Sequence, residues 1–194
     1  PQQYLETITE RVSRNKKIHI HVNAKIPGIE GFIGNFTTKL SDNGESGGEI
    51  KHGAIVVATG AGEHKPGEYL YGKNPNVLTQ LELEERLAND GRSFLSAVGR
   101  APKTVVMIQC VGSRETARPY CSRLCCNQAV KNALKIKELS PETNVYILYR
   151  DMRTYGFGEG YYTQARQEGV VFMRYDENKK PELAEHSGNL LSIK

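Results

Sequence analysis

Four cysteines stand within seventeen residues of this 194-residue chain, which contains no other cysteine. They are Cys110, Cys121, Cys125 and Cys126, with the spacing C-x10-C-x3-C-C. The first follows an apolar segment typical of a buried strand, and the other three lie where a helix is predicted to start. A strand–turn–helix unit can return the first sulfur to the side of the others. Four thiolates can fill the cysteine positions of one iron–sulfur cluster.

The predicted helix start favours a cluster over a single metal ion. Cys125 stands four positions after Cys121, so on a helix the two would share a face. Helix N-termini stabilise anionic thiolates and sulfides, and Arg114, Arg118 and Arg123 add positive charge nearby. Zinc sites usually use paired C-x2-C motifs, which are absent here. A zinc or thiol interaction module and inert buried thiols stay open as alternatives.

Composition limits the remaining classes of function. Hydrophobic residues make up 38%, enough for a core, but no apolar run approaches the roughly 20 residues that span a bilayer. The net charge of +4 is spread without the basic runs typical of nucleic-acid binding. No secretory leader is recognised, so the cysteines favour metal or redox chemistry in the cytoplasm over a disulfide framework. Because residue 1 is Pro, the chain is interpreted as a processed or excised piece.

The first third of the chain is predicted to be rich in strands. Three are expected, at residues 16–24, 31–40 and 50–60, with a turn at 41–49. The last of them ends in the continuous apolar run Ala54–Ala58, which is typical of a strand covered on both faces. His19 and His21 share one strand face, but no third ligand lies near, so a plain strand face is preferred over a metal site.

The rest of the chain follows a strand–helix alternation. A linker at 63–76 and a helix at 78–87, ended by Asp90-Gly91 with residues 94–99 leading out, are expected first. Strands are then predicted at 103–110, 144–149 and 170–175, helices at 120–139 and 161–167, a helix cap at Gly169 and an edge strand at 190–193. The alternating glycines of residues 155–162 are interpreted as a flexible loop. The fold class is therefore α/β, with a Rossmann-like parallel β-α-β unit.

The turn after the strand predicted at 103–110 distinguishes a cluster site from a nucleotide site. Dinucleotide sites carry G-x-G-x-x-G at this position, whereas this turn has only Gly112 and places Cys110 at the strand end. We interpret it as a nucleotide fold in which a cluster replaces the phosphates. A pyridine-nucleotide-binding oxidoreductase domain without a cluster is the alternative, with Arg150 and Arg153 placed to meet a 2′-phosphate.

Six segments resemble the A subunit of heterodisulfide reductase and its relatives in sulfate reducers. They are GAIVVATGA (53–61), YLYGKNPNVLTQLELEERL (69–87), VVMIQCVGSR (105–114), RPYCSRLCCNQAVKNAL (118–134), VYILYRDMRTYGF (145–157) and GVVFMRYDENKKPEL (169–183). The cysteine block is the most specific of them. The resemblance implies a flavoprotein built like thioredoxin reductase, with FAD and 4Fe-4S clusters, in complexes that pass electrons between redox partners.

The resemblance also implies roles for particular residues. The four cysteines would ligate the 4Fe-4S cluster nearest the flavin, and Ala58, Thr59 and Gly60 would pack along FAD. No flavin G-x-G-x-x-G is present, so the expected organisation is a partial FAD-domain segment (1–66), a linker with a short helix (67–98) and a Rossmann-like iron–sulfur domain (99–194). The expected partners are other heterodisulfide-reductase-type subunits and redox proteins, and a homodimer is left open. No residue is predicted to act as a catalytic acid, base or nucleophile.

Overall fold

A computed structural model of the chain describes residues 2–42, 45–96, 102–186 and 190–194. The chain divides into two compact units, Pro1–Ala61 and Gly62–Lys194. Among the described residues, no helix combines the length and apolar character needed to cross a membrane.

The first unit is a helix followed by an antiparallel meander. Its elements are α1 (Gln2–Arg14), β1 (Ala24–Phe32), β2 (Asn35–Asp42) and β3 (Glu45–His52), with the strand order β1-β2-β3. Gly31 and Gly34 shape the β1–β2 turn, with φ of +100° and +90°. A Cβ on Gly31 would lie 2.1 Å from the carbonyl oxygen of Asn35, so this position requires glycine. The predicted strand at 31–40 is present as β2, shifted by a few residues.

Two strand predictions in this unit are wrong. Residues 16–23 form no strand, because the alternating segment has no partner strand among the described residues. Instead the side chain of Asn15 accepts a hydrogen bond from the N–H of Lys17 at 2.9 Å, which forms a turn. The apolar run Ala54–Ala58 is also irregular, and Val56 and Val57 are 88% and 80% exposed. The predicted turn at 41–49 is narrower than expected, since β3 already begins at Glu45, and residues 43–44 lie outside the described part.

The second unit contains the predicted parallel sheet. Its elements are α2 (Gln80–Ser96), β4 (Thr104–Ile108), α3 (Cys125–Leu139), β5 (Asn144–Tyr149), α4 (Gly158–Gln167), β6 (Val171–Arg174), β7 (Leu183–His186) and β8 (Leu190–Ile193). The sheet has the order β4-β5-β6, and both of its ladders are parallel. This confirms the α/β class and the repeated strand–helix–strand pattern.

The core of the second unit is centred on α3. This helix packs against α2, α4 and β5. Its face toward them carries the residues Ala129, Val130, Ala133 and Ile136, each at most 1% exposed. Val145 and Ile147 of β5 meet them from the sheet and are fully buried. The sheet and α3 therefore form the rigid base on which the loops at the strand ends are built.

Three predictions in this unit need correction. The helix predicted at 78–87 does not end at Asp90-Gly91 but continues as α2 to Ser96. Packing of α2 against α3 outweighs the cost of a glycine inside the helix. Residues 97–99 lie outside the described part. Gly158 and Gly160 belong to α4 and not to a flexible loop. The strand at 190–193 forms a separate hairpin with β7, because its backbone pairs antiparallel with Leu183–His186 and not with the parallel sheet.

Candidate metal centre

The cysteine block lies at the carboxyl edge of the parallel sheet. Cys110 comes two residues after the end of β4, and α3 begins at Cys125. The loop that follows β5 and the residue that follows β6 reach the same edge, since all three strands are parallel. Open parallel sheets bind ligands outside this edge. The sequence predicted correctly that Cys110 follows a strand and that Cys125 and Cys126 lie in the first turns of a helix.

Cys110 occupies a tight turn in an unusual backbone conformation. Its φ is +64°, and Gly112 follows with φ of +60°. The carbonyl of Cys110 accepts a hydrogen bond from the N–H of Ser113 at 3.2 Å, which closes the turn. Burial raises the pKa of the Cys110 thiol and the nearby Cys125 raises it further, whereas Arg114 and the backbone N–H of Arg150 oppose this.

Cys125 and Cys126 form the first turn of α3. A hydrogen bond from the Cys126 thiol, helped by Ser122 and the backbone N–H groups of the helix start, lowers the pKa of Cys125 to about 6 although burial opposes it. The same hydrogen bond, together with burial, raises the pKa of Cys126, which the N–H of Arg153 partly offsets. Cys126 is 2% exposed, and its Sγ lies 3.8 Å from the carbonyl oxygen of Asp151.

Cys121 lies in the loop before α3, not on the helix. The prediction that it shares a helical face with Cys125 is wrong, because the helix begins four residues later than Cys121. Arg123 has φ of +60° and interrupts helical geometry at that point. The N–H of Arg123 donates to Sγ of Cys121 at 3.4 Å. The hydroxyl of Ser122 accepts from the N–H of Leu124 at 3.3 Å, a local turn that competes with helix.

The loop that carries Cys121 folds back toward the Cys110 turn. Tyr120, the residue before Cys121, accepts hydrogen bonds through its carbonyl from the Ser113 hydroxyl at 2.6 Å and from the N–H of Arg114 at 3.1 Å. Cys121 therefore follows directly on a residue that is fixed to the Cys110 turn. Its thiol is partly buried, like those of Cys110 and Cys125.

Two arginines at this edge have structural partners. Nη2 of Arg114 donates to Oδ2 of Asp151 at 2.6 Å. Arg150 donates through Nη1 to the carbonyl of Arg114 at 2.7 Å and through Nη2 to the Glu177 carboxylate. The Arg150 side chain is 12% exposed. This weakens the nucleotide alternative, since Arg150, one of the two arginines expected to meet a 2′-phosphate, is already engaged.

A cluster and a single metal ion make different demands on the spacing of the four sulfurs. All four cysteines are free thiols, and Cys110, Cys125 and Cys126 are close enough to influence one another electrostatically. Within the described ranges, no three His, Cys, Asp or Glu side chains are grouped tightly enough to hold one metal ion. A single zinc ion needs all its sulfurs at about 2.3 Å from one centre. A cluster binds each cysteine through a different iron and so accepts more widely spaced sulfurs.

The residues predicted to contact FAD belong to the first unit. Ala58, Thr59 and Gly60 are exposed and lie in a segment without regular secondary structure. Gly60 has φ of +65°. Their role toward FAD stays a prediction.

Comparison with known proteins identifies the chain's relatives, although no protein-family model matches it. It is 42% identical over 137 residues to the A subunit of the H(2):CoB-CoM heterodisulfide,ferredoxin reductase of Methanothermobacter marburgensis, covering 65% of this chain and 21% of that protein. It is 43% identical over 137 residues to the iron-sulfur A subunit of the CoB--CoM heterodisulfide reductase of Methanocaldococcus jannaschii, with the same shares. The chain is homologous to part of the heterodisulfide reductase A subunit.

The homology confirms the resemblance predicted from the sequence. A third relative, the A subunit of the ferredoxin/F(420)H(2)-dependent CoB-CoM heterodisulfide reductase of Methanosarcina acetivorans, is 43% identical over 138 residues, 65% of this chain and 17% of the relative. The chain thus spans about a fifth of the length of the curated relatives it matches. One of these relatives is named an iron–sulfur subunit.

Two residues that shape the centre, Tyr175 and His64, were not predicted from the sequence. Tyr175 follows β6 and donates its hydroxyl to the carbonyl of Gln109 at 2.5 Å. His64 lies against Gly112 and is hydrogen-bonded to Arg118 at 2.9 Å. A tyrosine directly after a buried strand was a usable indication, because it reaches the same sheet edge as Cys110. Nothing in the sequence around His64 indicates its place.

Proposed function

We propose that the chain is an electron-transfer part of a heterodisulfide-reductase-A-like oxidoreductase, in which Cys110, Cys121, Cys125 and Cys126 hold one 4Fe-4S cluster. The placement of Cys110, Cys125 and Cys126 around one strand end and one helix start carries the proposal. The homology to the heterodisulfide reductase A subunit supports it independently. When bound, the cluster accepts or donates one electron at a time.

The chain's own residues would hold and adjust that cluster. The N-terminus of α3 supplies backbone N–H groups to Cys125, and the N–H groups of Arg150 and Arg153 face Cys110 and Cys126. Hydrogen bonds to cysteine sulfur, nearby charge and burial are the means by which a protein sets a cluster potential. All three are present at this edge of the sheet.

The same proposal covers the cofactor and partners of the longer protein. The first unit would belong to an FAD domain, with Ala58, Thr59 and Gly60 along the flavin, and the cluster would relay electrons to or from FAD. The other partners would be further subunits of a heterodisulfide-reductase-type complex. The division at residues 66 and 98, a homodimer and a cytoplasmic location stay predictions.

The decisive experiment is anaerobic reconstitution followed by iron and sulfide counts and an EPR spectrum. We expect about four iron and four sulfide per chain, and a signal from the reduced protein. Each of the four Cys→Ser variants should lose most of the iron, whereas Lys135→Ala, at a position on α3 whose side chain is 41% exposed, should load like the parent chain. Stoichiometric zinc with no visible absorption would contradict the cluster and favour the zinc module.

Two further measurements separate the remaining alternatives. Nicotinamide nucleotide binding that persists without iron would favour the pyridine-nucleotide domain. We also expect the chain alone not to retain FAD through gel filtration, because it has no glycine-rich loop for the pyrophosphate. A yellow protein with one FAD per chain would contradict that expectation.

A further inference from the structure

Two buried side-chain N–H groups flank the Cys110 turn without a hydrogen-bond partner. They are Nε2 of Gln109 and Nη1 of Arg114, and they are the unpaired cases found in the described part of the chain. Buried donors are almost always paired in native proteins, so an unpaired one indicates a missing acceptor. Both belong to the short segment that carries the first cysteine.

Arg114 is fixed in place more firmly than a surface arginine. Its Nη2 is bound to Asp151 at 2.6 Å, its carbonyl accepts from Arg150 at 2.7 Å and its N–H donates to the carbonyl of Tyr120 at 3.1 Å. The side chain is 18% exposed. Nη2 of the Arg114 guanidinium is therefore hydrogen-bonded, whereas Nη1 is buried and has no acceptor among the described residues.

The sulfur of Cys110 lies in the same turn and interacts with the Arg114 side chain, so it is the candidate acceptor for this donor. Arg114 is close enough to favour the thiolate form of this cysteine by hydrogen bonding and by its charge. Thiolates and sulfides accept charge-assisted hydrogen bonds, and a fixed guanidinium supplies them without reorganisation. Asp151 binds the other arm of the fork and reduces the positive charge that the site experiences.

We propose that the Arg114–Asp151 pair sets the reduction potential of the cluster, with the free arm of Arg114 donating to the sulfur of Cys110 or to an adjoining sulfide. This rests on the proposed function. Adding one electron makes the cluster more negative, so the cation stabilises the reduced form and raises the potential. Asp151 positions the cation and lowers the potential by its own charge.

A purely structural ion pair makes a different prediction. Arg114→Gln and Asp151→Asn both break the Arg114–Asp151 ion pair. If the pair is only structural, both substitutions should destabilise the loop and should shift the reduction potential of the cluster in the same direction. The tuning role requires opposite shifts, since one substitution removes a positive charge and the other a negative charge.

The test is an EPR-monitored redox titration of the reconstituted chain and its variants. We expect Arg114→Gln to reduce the equilibrium constant for one-electron reduction about tenfold, which is ~59 mV lower in potential. Asp151→Asn should shift the potential upward, and Arg114→Lys should fall between the parent and Arg114→Gln. Arg166→Gln is the matched control, because it removes the same charge in the last turn of α4, at the other edge of the sheet. It should leave the potential unchanged.

The outcomes separate this inference from the proposed function. If the parent chain binds no cluster, the proposed function fails. If the parent loads a cluster but Arg114→Gln and Asp151→Asn shift together or not at all, the inference alone is wrong. If the Arg114→Gln variant does not bind a cluster, the test depends on Asp151→Asn. Its reduction potential must then lie above that of the parent and of the Arg166→Gln control. If it does not, the inference is wrong.

Discussion

The phenol hydroxyl of Tyr175 donates a hydrogen bond to the backbone carbonyl of Gln109, with 2.5 Å between the two oxygens. Tyr175 follows β6 and Gln109 follows β4, so this bond passes across the end of the central strand β5. The N–H of Gln109 is bound in turn to the carbonyl of Leu148 at 2.8 Å. Both the N–H and the carbonyl of Gln109, the residue immediately before Cys110, are thus hydrogen-bonded.

Tyr175→Phe tests this anchor. The substitution leaves the Gln109 carbonyl without its partner, so we expect the free energy of unfolding to fall by about 1–2 kcal/mol, measured by urea denaturation. The reconstituted variant should also lose iron faster to a chelator, since the Cys110 turn is less constrained. Tyr161→Phe is the control, because that side chain is 61% exposed, and it should change stability by less than about 0.5 kcal/mol. Equal effects of the two substitutions would contradict the anchoring role.

Gly112→Ala tests the backbone of the Cys110 turn. Gly112 has φ of +60°, and a Cβ there would lie 2.3 Å from Nε2 of His64. We expect a loss of stability from two sources: about 1–2 kcal/mol for the left-handed backbone and a further cost for moving the imidazole. The measurement is the free energy of unfolding of the single variant.

A double-mutant cycle separates the two costs. In a His64→Ala background the Gly112→Ala substitution should cost only the backbone contribution, so the two changes should not be additive. Additive costs would show that His64 does not limit the space at Gly112.

The sequence predicted the strands and helices of the second unit where periodicity and burial agree. β5 has the predicted bounds, and α4 ends at the predicted Gln167, with Gly169 at φ of +82° beyond it. The start of α3 was wrong by five residues because Ser122 and Arg123 form local turns that side-chain pattern does not reveal. The cysteine positions were therefore predicted in their fold context, but Cys121 was assigned to the wrong element.

The first unit shows where sequence patterns are insufficient. The alternation of polar and apolar residues at 16–24 indicates which side chains would share a face if the segment were a strand. A strand also needs a hydrogen-bonded neighbour, which no local pattern specifies. In the second unit, the contacts of Tyr175 and His64 with the Cys110 turn were equally unpredictable, because they join residues far apart along the chain.

Glu82 provides a pH-dependent prediction. Its carboxylate accepts hydrogen bonds from Lys65 at 2.8 Å, the N–H of Thr79 at 2.9 Å and the Tyr71 hydroxyl at 2.7 Å. Lys65 is the largest cause, and together these contacts lower the pKa of Glu82 from 4.5 to about 2. Because the folded pKa lies below the unfolded value, the stabilisation is fully present above about pH 4.5 and is lost as the pH falls toward 2.

Glu82→Gln should therefore destabilise the protein at neutral pH and much less at pH 2–3. The measurement is the midpoint of thermal unfolding of both proteins across this range, with Glu85→Gln, an exposed residue of the same helix, as the control substitution. If the difference in unfolding midpoint between Glu82→Gln and the parent stays constant from pH 6 to pH 2, the Glu82 carboxylate does not make stability depend on pH in this range.

The apolar run Ala54–Ala58 and the strand β5 allow a direct comparison of exposed and buried apolar residues. Ile147 is fully buried in β5, so Ile147→Ala should reduce the free energy of unfolding of its unit by about 2–5 kcal/mol through lost burial and the remaining cavity. Val56 is 88% exposed, so Val56→Ala should change stability by less than about 0.5 kcal/mol. Urea denaturation followed by circular dichroism measures both. A cost above about 1 kcal/mol for Val56→Ala would mean that this segment is covered in solution, as its sequence predicts for a strand buried on both faces.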